Sequence, residues 1–77
     1  MKTLAINCFN FTLGTTGIID GKEKVKIESI SAEGIYSTAR NHAVEKIVLI
    51  GPHSLTQKIR EDLIYKYSFI QVEAIPN

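Results

Sequence analysis

The sequence predicts an α/β fold: a five-stranded mixed sheet of order 3-2-1-4-5 that carries two helices on one face. Three observations point to it. The first thirty residues alternate apolar and polar side chains around an Asp20-Gly21 turn signal, the pattern of an antiparallel meander. Ile47-Val48-Leu49-Ile50 is an unbroken apolar run closed by Gly51-Pro52, as a central strand buried on both sides requires. On either side of that run, apolar residues recur at helical spacing. The order is β-β-β-α-β-α-β.

The first strand is expected over residues 4–9, with Leu4, Ile6 and Cys8 on one face. A second follows over residues 13–19, where Gly14 and Gly17 suggest a bulge or a close approach. Asp20-Gly21 favours a tight hairpin because both central positions of that turn need positive φ. The third strand, residues 24–29, turns Val25 and Ile27 inward and Lys24, Lys26 and Glu28 outward. Lysines of this kind suit a sheet edge, where they discourage edge-to-edge pairing.

Ser31 then reads as an N-cap, Glu33 as a first-turn acid favourable to the helix dipole, and Ile30 with Ile35 as a hydrophobic staple. Ile35, Ala39 and Ala43 form a narrow apolar stripe with Tyr36 beside it, which extends this helix to about Ala43. His42, near its end, is placed to interact with the last carbonyls. Residues 46–50 make the fourth strand. Ser54-Leu55-Thr56-Gln57 reads as a capping box for the second helix. Leu55, Ile59, Leu63 and Tyr67 line its inner face with Ile64 at the flank, while Lys58, Arg60, Glu61, Asp62 and Lys66 take the rest. Ser68 ends it, and residues 69–75 supply the last strand.

Composition bounds what this fold can do. At 77 residues the chain is a single domain, 1–77, since chains divide only at about 150 residues and beyond. So short a chain buries only about 60% of its unfolded surface, and it needs a well-packed core, a crosslink or a partner. One cysteine excludes an internal disulfide, and two histidines with one cysteine give no zinc-ligand spacing. Nine basic residues against eight acidic leave a net charge of +1, so no electrostatic case for nucleic acid or acidic lipid arises. No leader-like segment opens the sequence, and the free Cys8 suits a reducing interior, so a cytoplasmic location is expected. Asn10-Phe11-Thr12 matches a glycosylation sequon, which without a secretory signal reads as a chance match.

A meander followed by two right-handed crossovers in one direction places both helices on the same face. The other face would be uncovered, with the chain stopping soon after its last strand. Ala5, Val48, Ile50 and Val72 are the candidate interface on that face, with Ile47 and Leu49, and Phe69 and Ile75, as the alternatives if the register is the other one, since an apolar sheet surface of this kind calls for association. The expected partner is a second copy or another protein.

The element order, with the opening Leu4-Ala5-Ile6-Asn7, resembles the core of the ribonuclease H-like superfamily, which includes nucleases, resolvases and actin-like ATPases. The resemblance spans nearly the whole chain and rests on topology and one strand-hairpin signature. It implies a metal-binding Asp on the first strand and a second carboxylate near the end of the fourth. Asn7 and Gly51-Pro52-His53 stand at those places instead, and Glu33 alone matches a helix-borne family acid. A two-metal site needs several convergent anionic oxygens, so no metal and no cofactor are expected. The actin-like phosphate hairpin also lacks its Asp here, and Gly14-Thr15-Thr16-Gly17 opens no helix that could hold a phosphate.

The strand ends remain a candidate ligand rim: Asn7, Asn10, His53 and Ser54 converge where open α/β sheets bind ligands. Cys8 with His53 is the one catalytic pairing that can be drawn, against which Cys8 reads as a small core residue. No catalytic residue is assigned. Phe9, Phe11 and the lysines at 22, 24 and 26 could serve a single-stranded nucleic acid, although Glu23 and Glu28 interrupt them. The sequence therefore reads as a small non-catalytic binding module that dimerises or binds a protein partner through its sheet. A phage or mobile-element origin is compatible with so small a chain. Alternatives are a metal-dependent nuclease or nucleotide-binding protein with a non-standard site, and a non-catalytic nucleic-acid binder.

Overall fold

The computed structural model describes residues 2–9, 16–27, 29–69 and 71–76. Seven elements follow in order: β1 (Thr3–Asn7), β2 (Thr16–Ile19), β3 (Glu23–Lys26), α1 (Ala32–Asn41), β4 (Lys46–Gly51), α2 (His53–Tyr67) and β5 (Gln71–Pro76). The strands form one sheet of order β3-β2-β1-β4-β5. β2 runs antiparallel to β1 and β3, while β1, β4 and β5 are parallel. This is the expected α/β topology.

Alternation decides what each strand buries. Leu4 and Ile6 of β1, Ile47 and Leu49 of β4, and Ile19, Val25 and Val72 of the flanking strands are buried in one cluster. Ile35 and Ala39 of α1 and Ile59 and Leu63 of α2 complete that cluster, so both helices cover the same sheet face. Each such Leu or Ile contributes about 1.5–3 kcal/mol on full burial. The helices also meet directly. Tyr36 stacks on Tyr67 with ring centroids 4.5 Å apart, and Phe69 meets Tyr36 edge-on at 6.4 Å.

Local chemistry explains most of the element ends. Ser31 caps α1, its hydroxyl accepting from the Gly34 amide at 3.2 Å. The connection into α1 packs so tightly that a Cβ on Gly34 would lie 2.7 Å from the Ser29 carbonyl oxygen. Asp20 and Gly21 both take positive φ in the β2–β3 turn, and the Asp20 carboxylate accepts from the Thr3 amide at 2.9 Å.

Several boundaries differ from expectation. α1 ends at Asn41, so Ala43 is not part of the helical stripe. Ala43 is exposed with φ 55°, the amide of Val44 donates to Ala39 and that of Ala43 to Arg40. This double bond pattern is a Schellman ending, and it turns the buried Val44 inward in place of Ala43. β3 stops at Lys26, although Ile27 beyond it is still buried. Residues 13–15 and Glu28, expected in the second and third strands, lie outside the described residues, as do Asn10, Phe11 and Ile70.

The start of α2 also needs correction. Pro52, not Ser54, occupies its N-cap position, and no side chain caps it. The Thr56 amide donates to the Pro52 carbonyl at 3.0 Å, which sets Ser54 inside the first turn, exposed. Proline fixes its own φ near the value seen here, −57°, and starts the helix two residues before a serine cap would. The expected capping box is therefore not formed. Thr56 is fully buried and turns its hydroxyl back to the carbonyls of Pro52 and His53 at 3.1 and 3.3 Å.

Candidate interaction face and strand-end rim

The residues that alternate with the core point away from the helices. Strand register aligns them in rows across the sheet. In the middle row Lys24 pairs with Ile18, Ile18 with Ala5, Ala5 with Val48, and Val48 with Glu73. Towards the C-terminal ends of the parallel strands, Asn7 aligns with Ile50 and Ile75, and Lys26 with Thr16. Towards their N-terminal ends Thr3 aligns with Lys46 and Gln71. The centre of this face is apolar. Ala5, Val48 and Ile50 are half-buried, and Ile18 and Ile75 remain 39% and 40% exposed.

Of the expected interface residues, Ala5, Val48 and Ile50 lie on this face and Val72 does not. Val72 aligns with Ile47 and is 9% exposed within the covered core. Pairing of Val48 with Glu73 fixes the phase of β5, so Glu73 and Ile75 face outward and Val72 faces the helices. Residues 69–75 hold apolar side chains at both parities, and only the ladder to β4 chooses between them. Ile18 was absent from the expected set. Its signal was available, since it sits next to the inward Ile19 and must point the other way.

Charge surrounds the apolar centre. Lys24 and Lys26 stand on the β3 edge, and across the sheet Lys46 Nζ lies 3.2 Å from Glu73 Oε2. The Lys46–Glu73 pair is exposed, so by itself it contributes about 0–1 kcal/mol.

The rim at the C-terminal ends of β1 and β4 gathers less than the sequence suggested. Asn7 is exposed and its side-chain oxygen accepts from the Phe9 amide at 2.9 Å, closing a local turn. His53 and Ser54 are exposed in the first turn of α2. Asn10 lies outside the described residues. Cys8 is fully buried on the covered face, and its amide donates to the Ile50 carbonyl at 2.6 Å. Burial pushes its thiol pKa up, the opposite of what a nucleophilic thiolate needs. Among the described residues no hydrogen bond joins Cys8 to His53. His42 is not occupied with the helix carbonyls through its ring either: Nδ1 lies 3.6 Å from Glu23 Oε2.

The metal site implied by the ribonuclease H-like resemblance does not fit these residues. Asn7 offers a neutral amide, already bonded to Phe9, in place of a carboxylate. Glu33 is exposed on α1, while Asp20 is held at the β2–β3 turn and Glu73 on β5. Among the described residues no three His, Cys, Asp or Glu side chains are grouped to hold a metal ion, and no helix is long and apolar enough to cross a membrane. No family model, no curated protein and no solved structure matches the chain.

Proposed function

We propose that this chain is a small, non-catalytic interaction module that works by association through the helix-free face of its sheet, with a second copy of itself as the occupant. One observation carries the reading. Ile18, Ala5 and Val48 lie side by side across three strands with Ile50 and Ile75 in the next row, and among the described residues no element covers them. A contiguous apolar patch with a polar surround is the usual form of a protein-binding surface.

A minimal ribonuclease H-like core is the ancestry we propose, supported by element order and strand order alone. A reducing compartment such as the cytoplasm is proposed on the single free, buried Cys8. Sedimentation equilibrium tests the reading: a monomer–dimer equilibrium is expected across the micromolar range. A concentration-independent monomer up to several hundred micromolar would overturn it.

A further inference from the structure

Resting on that reading, we infer that the open face is self-complementary in one register. Two copies pack face to face about a two-fold axis that runs along β1, so that Lys24 of each copy meets the partner's Glu73. The inference comes from the rows of the sheet and the signs of their charges.

Two sheets packed face to face align their strands within about 30°. Orthogonal packing is the alternative, but its corners are made by strands that pass from one sheet to the other, which two separate chains do not have. A two-fold axis between aligned sheets must then lie along the strands or across them. An axis across the strands sets every strand over its own copy and the middle row over itself. Lys24 would then face the partner's Lys24, Glu73 the partner's Glu73, and Ile50 would be set over the partner's Lys46. Like charges would meet at both edges of the middle row.

An axis along β1 reverses these outcomes. β3 then faces the partner's β5, and β2 faces its β4. Along the middle row, Lys24–Ile18–Ala5–Val48–Glu73 is read against itself backwards. Lys24 meets the partner's Glu73, Ile18 meets its Val48, and the small Ala5 meets Ala5 on the axis, where the closest approach is needed. A Lys and a Glu together can span the ~10 Å between stacked sheets. Each Glu73, already 3.2 Å from Lys46 of its own chain, would be flanked by a second ammonium. In the row towards the C-terminal ends, Lys26 would lay its methylene stem over the partner's Ile75. In the opposite row Lys46 would lie over the partner's Asp20, which continues β2 beside Thr3.

The area agrees with a real but modest interface. Five strands at ~4.8 Å and five residues at ~3.4 Å give a face of about 24 by 17 Å. Two copies would bury on the order of 1,000 Å², the small end of specific interfaces, so a dissociation constant in the micromolar range is expected.

A charge swap tests the register. Glu73→Lys places two lysines at each contact of its own homodimer, and Lys24→Glu places two glutamates there. Each variant alone is expected to self-associate about tenfold or more weakly than the native chain, because like charges replace opposite ones at both contacts. Mixed in equal amounts they pair opposite charges at both contacts and should form a heterodimer of near-native affinity. Lys58→Glu, the same charge change on the exposed side of α2, should leave association unchanged. A second measurement needs no variant: the native dissociation constant should rise as salt goes from about 0.05 to about 0.5 M, because the pairing charges are screened. If the native chain dimerises but the mixture does not recover, or salt leaves the constant unchanged, this register is wrong while association through the face stands. If the native chain never dimerises, both fall.

Discussion

The two faces of this sheet are made by the same strands, yet they differ in how completely their apolar side chains are enclosed. On the helix side Leu4, Ile6, Ile47 and Leu49 are all fully buried. On the other side their immediate neighbours Ala5, Val48 and Ile50 are only half-buried and Ile18 is 39% exposed. Local strand propensity cannot tell the two sets apart, since Ile47-Val48-Leu49-Ile50 is apolar throughout. What separates them is the direction of two crossovers, which sends both helices to one side. The covered face accounts for folding, and the open face keeps apolar surface that a second molecule can remove from water.

Truncating neighbours on β4 would break this contrast most directly if it is wrong. Leu49→Ala should cost about 2–5 kcal/mol, the range for a large core residue that leaves a cavity. A 77-residue chain has roughly 4–12 kcal/mol of total stability, so the variant would be close to unfolding. Val48→Ala, one residue away and half-buried, should cost under about 1 kcal/mol when the monomer is unfolded by urea. Similar losses at both positions would mean that the two faces are equally enclosed.

Association should respond in the reverse order. Val48→Asp puts a charge at the centre of the open face and directly opposite Glu73 on β5. The monomer should lose about 1–2 kcal/mol, from strand propensity and the like-charge neighbour, and remain folded. The dimer should be lost over the whole range in which the native chain sediments as one. A folded Val48→Asp chain that still dimerises would move the interface away from this face.

Most of the architecture could be read from the sequence because it depends on local alternation and on a handedness rule. Val25 and Ile27 inward, Ser31 as a cap and Ser68 as a stop all follow from the residues on the spot, and all are found. The misses share a cause. Val72 was assigned to the open face because its strand is apolar at both parities, and the choice is made by hydrogen bonds to β4, a partner more than twenty residues away in the chain. Ala43 lost its place in the helical stripe to a C-terminal turn with φ 55°, which no apolar pattern encodes. For the ligand rim, sequence brought Asn7, His53 and Ser54 to the same end of the sheet. It could not show that Asn7 is occupied by the Phe9 amide, although the alternation with Leu4 and Ile6 did place Cys8 in the core, where it is found.

The smallest expected effect separates packing from capping on the covered side. Both helices start at the same end of the sheet, each with a serine nearby, and the two serines do different work. Ser31 is extended and accepts from the Gly34 amide, so Ser31→Ala should lower stability by about 1 kcal/mol. Ser54 lies in the first turn of α2, exposed, with Pro52 ahead of it at the cap. Ser54→Ala removes no capping bond and replaces serine by a better helix former, so it should change stability by less than about 0.5 kcal/mol in either direction. The start of α2 is held instead by what lies beneath it: Thr56, fully buried and bonded to Pro52 and His53, followed by the buried Ile59 and Leu63. Urea denaturation of the two variants side by side measures the difference. A loss of about 1 kcal/mol at Ser54 would show that α2 begins two residues later than described, and that its attachment to the covered face relies on a serine cap after all.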